Sequence, residues 1–138
     1  PGVIAVIDMD SEKVVWAMKG YWANQHDAQF TANGHILLFD NRGLVNNGIR
    51  RSRILAIDPQ NAKPVWSYTD EDFFSNIYGR VQLLGNGNYL IASSMQEKLF
   101  EVTPEKVVVW SLTTGEKHRN IFLTATRYLK EDLSFIHK

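Results

Sequence analysis

"RILAIDPQNAKPVWSY", residues 53 to 68, holds a whole supersecondary unit. Apolar residues run from Ile54 to Ile57, the chain reaches Asp58-Pro59 and Asn61, and a second β-prone run ends on Trp66. Short apolar runs on either side of an Asp/Pro/Asn cluster read as strand, turn, strand. The phrase occurs twice more, as "VIAVIDMDSEKVVWAM" at 3 to 18 and "KLFEVTPEKVVVWSL" at 98 to 112, which sets Trp16, Trp66 and Trp110 apart by 50 and then 44 residues. A period of that length announces a propeller or a solenoid.

A second unit alternates with the first. "AQFTANGHILLF" at 28 to 39 answers "VQLLGNGNYLIA" at 81 to 92, with Asn33-Gly34 and Asn86-Gly87 at the matched place. Asn-Gly is the strongest short hairpin signal, and a type I′ turn with positive φ at both residues is expected at each. One period is then four strands, A at 28 to 32, B at 35 to 39, C at 53 to 57 and D at 64 to 68, repeated at 80 to 111. The fold class expected is all-β, built from β-propeller blades of four antiparallel strands. A single partial domain is laid out as strands C and D of one blade at 3 to 18, full blades at 28 to 68 and 80 to 111, and strands A and B of a further blade at about 121 to 137, with Lys130 to Asp132 as its turn. No segment keeps a 3.6-residue period, and even 117 to 132 favours strand by its β-branched and aromatic content. The tryptophan near the end of strand D is expected to pack between blades.

Three blade equivalents are too few to close a ring, since propellers have four to eight. Either the chain, which opens on Pro1-Gly2 rather than Met, is a piece of a longer one, or two copies associate head to tail as a six-bladed dimer. Fifteen basic against fifteen acidic residues leave no net charge, so nothing in the bulk electrostatics points to nucleic acid or a membrane surface as partner. There is no cysteine and no run of eighteen apolar residues. No phosphate loop, HExxH, G-x-S-x-G or EF-hand pattern occurs, and no cofactor or metal site is expected. "DEDFF" (70 to 74) reads as a solvated D-to-A loop, and "RRSR" (50 to 53) is too short a basic run for nucleic acid.

One pair of residues bears on chemistry. His26 and Asp27 sit where strand D of one blade leads into strand A of the next, beside the mouth of the channel that a propeller encloses. Spacing alone makes Asp27 a turn residue and His26 a solvated or packed imidazole. However, "QHDAQFTANGHILLFDN", "SRILAIDPQNAKPVWSY", "RVQLLGNGNYLIASS" and "FEVTPEKVVVW" together, in this order, resemble the bacterial arylsulfotransferase-like family over residues 22 to 111. That resemblance implies a six-bladed, extracytoplasmic propeller that moves a sulfuryl group from a phenolic sulfate ester to another phenol. It also implies a ping-pong route through a sulfated histidine, without a nucleotide donor.

Carried onto this chain, the resemblance makes His26 the nucleophile and Asp27 the carboxylate that orients its ring. Arg42 or Arg53 would hold the anionic sulfate through forked donors. Tyr21 and Trp22 would form an aromatic wall for a phenolic ligand, and His118 would be a second channel histidine. Asp40 and Asn41 are expected to fix the start of a long, irregular B-to-C loop at 40 to 52. The second-blade equivalent of His26 is Gly79, and an upstream histidine motif of the family is absent, so the chain could be inactive alone. The alternative is a non-catalytic propeller scaffold for protein or ligand contacts. "AIDPQNAKPVW" also resembles the tryptophan repeats of quinoprotein-type and outer-membrane assembly propellers, where the indole is structural.

Overall fold

The computed structural model describes residues 2–114 and 124–136. Its architecture is all-β, as the repeats predict. β1 (Gly2–Asp8) and β2 (Lys13–Gly20) form a two-stranded antiparallel sheet. β3 (His26–Phe30), β4 (Ile36–Asn46), β5 (Ile49–Ile57) and β6 (Pro64–Tyr68) form a four-stranded meander. β7 (Arg80–Leu83), β8 (Tyr89–Ser93), β9 (Lys98–Val102) and β10 (Val108–Thr113) repeat it. All the ladders are antiparallel between consecutive strands. β1 and β2 therefore correspond to the third and fourth strands of the complete blades.

The core lies between blades. Successive side chains of a strand face opposite ways, so a run that is apolar throughout serves two interfaces. "ILLF" and "ILAI" are such runs. Leu37, Phe39, Ile54, Ala56 and Tyr68 meet Phe73, Val81, Ile91 and Phe100 of the following blade and its entry loop, while Ile36, Leu38, Leu55 and Ile57 meet Ile4 and Trp22 on the other side. The tryptophan rule holds at the complete interface. Trp66 stacks on Tyr89 with ring centroids 3.8 Å apart and donates from Nε1 to the Pro104 carbonyl at 2.8 Å.

Three expectations are corrected by the backbone. At Asn33-Gly34 and Asn86-Gly87 only the glycines have positive φ, +81° and +85°. Gly34 N–H donates to the Thr31 carbonyl and Gly87 N–H to that of Leu84, so each turn is a type I turn closed by a left-handed glycine, not type I′. Type I′ geometry occurs instead at Asn47-Gly48, with φ +49° and +78°, because residues 40 to 52 are no irregular loop. β4 and β5 continue past the sheet as a hairpin arm, pairing Leu44 with Arg51 and Asn46 with Ile49 beyond a bulge after Asp40. Finally, no strand lies within 124–136. That segment carries 3-10 turns at Lys130–Asp132 and Ser134–Ile136 where a hairpin was expected.

Residues 124 to 129 nevertheless run beside β7. Gln82 replaces the ladder with its side chain, donating from Nε2 to the Arg127 carbonyl at 3.0 Å and accepting from Arg127 N–H at 2.8 Å. One blade earlier the two roles are divided: Gln29 donates to the Val81 carbonyl at 2.7 Å, and Asp27 Oδ2 accepts from Val81 N–H.

Candidate functional site

His26 opens β3, the first strand of the first complete blade. The strand is bulged after it. Asp27 takes φ +55°, a left-handed conformation that aspartate tolerates better than most residues, and the pairing to β4 shifts between His26 and Gln29. The bulge turns the two neighbouring side chains to different partners.

The imidazole is held at one nitrogen. His26 Nδ1 lies 2.8 Å from Asn41 Oδ1 and 2.9 Å from the Asn24 carbonyl, and no described residue is bonded to Nε2. Asn41 is fully buried, and its amide orientation follows from its other contacts. Its Nδ2 donates to the carbonyls of Ser75 and Tyr78, which only the nitrogen end can do. The oxygen end therefore faces His26. Ser52 Oγ, also fully buried, ties the same loop down by donating to the Asn41 carbonyl at 2.8 Å and accepting from Ser75 N–H at 2.8 Å. Tyr78 stands edge-on to the imidazole, with centroids 6.1 Å apart and planes at 62°.

Asp27 does not orient the ring. Its Oδ2 accepts from Val81 N–H at 2.9 Å and from Gln29 Nε2 at 3.1 Å, and Oδ1 lies 3.6 Å from Arg80 Nε. It bonds one blade to the next. Burial pushes its carboxyl above the ordinary range, although the Val81 N–H and Arg80 pull the other way. Asn41 has taken the orienting place instead, a residue that sequence reading assigned to loop geometry.

The two arginines separate. Arg53 is spent on structure: Nε donates to Asp40 Oδ2 at 2.8 Å and Nη2 to the Tyr21 carbonyl at 2.9 Å. Asp40 is fully buried and also accepts from the N–H groups of Ala23 and Gly43. Arg42 follows Asn41 in the bulge, and its main-chain N–H donates to the Ala23 carbonyl at 3.0 Å, close to where β3 begins. Its Nε is buried with no hydrogen-bond partner among the described residues.

The expected aromatic wall is not formed by Trp22. Only 3% of it is exposed, because the indole packs where side chains at Gly2 and Gly20 would otherwise stand, into the core around Ile36 and Leu38. Tyr21 is 94% exposed. Tyr78, missed in "NIYGR", is the aromatic side chain beside His26; the signal available was its place in the D-to-A loop, just ahead of the residue equivalent to His26. That residue, Gly79, has φ +110°, and a Cβ there would come within 2.7 Å of the Phe39 ring, so no histidine fits. His118 lies outside the described residues. Among those described, no cluster of three His, Cys, Asp or Glu side chains is placed to hold a metal ion. Open hollows of about 490 Å³ beside Trp16 and about 630 Å³ beside Arg127 are lined neither by His26 nor by its partners.

Comparison with known proteins follows the same lines. The family model described as Arylsulfotransferase (ASST) matches residues 2–115. No curated protein matches the chain. Among solved structures it is similar to a protein of unknown function from Bacteroides caccae, at 16% identity and a TM-score of 0.50, over 80% of this chain. The chain spans 39% of the length of that protein, and the likeness concerns the fold.

Proposed function

The chain belongs to the arylsulfotransferase family, and from that premise we propose that its blades form part of a propeller ring in which His26 carries a sulfuryl group between phenols. The reading rests on one observation. Both partners of His26 Nδ1 are acceptors, a carbonyl and the oxygen end of Asn41, so in the neutral ring the proton sits on Nδ1. Nε2 then keeps its lone pair, and no described residue is bonded to it. That is the form an imidazole nucleophile needs.

In the first step Nε2 attacks sulfur, an N–S bond forms, and the S–O bond to the aryl group breaks with both electrons leaving on the phenoxide, which takes up a proton. In the second, the oxygen of an acceptor phenol attacks sulfur, the N–S bond breaks, and the phenol proton is released. Splitting one displacement into two is what a covalent intermediate contributes. Charge on the sulfate oxygens calls for forked donors, and we assign that part to Arg42, whose Nε has no partner among the described residues, since Nε and Nη2 of Arg53 are held by Asp40 and the Tyr21 carbonyl. Asn41 and Asn24 hold the ring so that the first step needs no reorientation.

The test is to incubate the protein with 4-nitrophenyl sulfate and measure intact and peptide masses. Gain of one SO₃ on the peptide carrying His26, and its transfer to an added phenol, are expected. His26→Ala abolishes the label and lowers nitrophenol release by at least about a thousandfold, with folding retained. A parent protein that acquires no sulfuryl group is a scaffold, the alternative reading.

A further inference from the structure

Eight non-glycine residues among those described have positive φ: Glu12, Asn24, Asp27, Asn47, Ala62, Tyr78, Glu97 and Lys106. Most have a local explanation. Asn and Asp tolerate the left-handed region, Glu12, Ala62 and Lys106 sit in turns joining the third and fourth strands, and Glu97 ends a 3-10 turn. Tyr78, at +61°, has none of these excuses: it is aromatic and lies in the loop that enters β7. A bulky residue in this region is a true outlier, and such outliers collect at binding and catalytic sites.

Nothing about the ring itself offsets that strain, because 41% of Tyr78 is exposed. The restraint lies in the backbone around it. Its carbonyl is taken by buried Asn41, the Ile77 carbonyl accepts from Ser75 Oγ at 2.9 Å, and Gly79 abuts the Phe39 ring. What this secures is the position of an accessible phenol ring 6.1 Å from the imidazole, on the following blade. The same amide, Asn41, thus grips the backbone of the tyrosine with its nitrogen and the histidine with its oxygen.

We infer that Tyr78 is a specificity-determining residue that receives the aryl ring of a sulfate ester bound at His26. This rests on the sulfuryl-transfer reading above. Aromatic rings pair at centroid separations of 4.5–7 Å in offset or edge geometries, so a substrate ring laid against Tyr78 is kept within reach of the imidazole. A flexible alkyl chain gains little from a rigid π face, which makes the ring a filter for aryl over alkyl esters.

Titration calorimetry with 4-nitrophenyl sulfate and with ethyl sulfate, on the parent, Tyr78→Phe and Tyr78→Ala proteins, tests it. Tyr78→Ala weakens binding of the aryl ester by about five- to tenfold and leaves ethyl sulfate within about twofold, whereas Tyr78→Phe retains both. Equal losses for the two esters, or no loss, overturn the assignment. Should the parent bind the aryl ester with this Tyr78 dependence yet acquire no SO₃ on His26, the subsite stands and the transfer chemistry falls. Conversely, a His26 adduct formed at unchanged rate and selectivity in Tyr78→Ala leaves the chemistry standing and removes Tyr78 from it.

Discussion

Asn41 shows how much one amide settles. An aspartate there would face two carbonyls with like charge, and a leucine would strip the Tyr78 carbonyl of its amide donor and leave that of Ser75 with only the longer bond from Ser52 Oγ. The residue pattern puts His26 in the loop ahead of a first strand at 28 to 32, whereas β3 begins at His26 itself, and it gives the ring the wrong companion, because Asp27 adjoins it in sequence and Asn41 adjoins it across the sheet. Contacts of that kind depend on a bulge, and no residue pattern marked this one. Asp27 has its own consequence. Its carboxyl is raised in the folded state, so as pH climbs from the ordinary aspartate value of 3.8 the unfolded chain ionises first and the folded state loses ground, a loss that persists at higher pH. Asp27→Asn keeps an acceptor for Val81 N–H, and gives up a half-exposed pair with Arg80 that contributes little. Urea midpoints at pH 3.5 and 7 are expected to show the variant gaining on the parent between the two. A variant that falls behind at pH 7 would show that the charge itself holds the blades together.

Among elements, the turns were legible by kind and not by geometry. "TANG" and "LGNG" were recognised as hairpin turns, yet the register of β3 to β4 and β7 to β8 admits a longer loop with one left-handed residue, whereas Asn47-Gly48 joins two strands directly and takes type I′. The arm it closes was hidden because its charged and polar residues, 46 to 53, look like loop. Left-handed geometry also has a cost where the residue is not glycine. Lys106 has φ +71° in the turn where its N–H donates to the Thr103 carbonyl. Lys106→Gly is expected to raise stability by about 1 kcal/mol. The reverse experiment is Gly48→Ala, where φ is +78° and a Cβ meets open space. It should lower stability by about 1 kcal/mol for conformational reasons alone. Denaturant midpoints measure both, and a null result at Gly48 would mean that the arm contributes nothing to the cooperative unit.

For the whole molecule, the order of strands followed from the repeat, since every apolar run had a partner at the same place one period later. The end of the chain did not follow. "TATRYLKED" imitates the composition of a first strand, and residues 124 to 129 do lie against β7, but they are joined to it by a side chain and not by a ladder. At the other end, β1 pairs with β2 alone among the described residues, while its counterparts β5 and β9 are each paired on both sides. A strand edge bearing exposed Val3 and Ile7 is a template for pairing with another chain. Sedimentation of the 138-residue chain is expected to show concentration-dependent self-association, which Ile7→Lys suppresses. A parent that stays monomeric at high concentration would show that this edge is already satisfied.

The glutamine bridges have a mechanical meaning. Within a sheet, main-chain rungs fix the spacing of strands rigidly, but Gln29 fastens the first strand of one sheet to that of the next, and Gln82 fastens β7 to residues 124 to 129, through amides carried on flexible stems. Such hooks hold while the wedge angle between sheets varies by several degrees, which is the tolerance a circular assembly requires if identical modules are to meet after a whole number of steps.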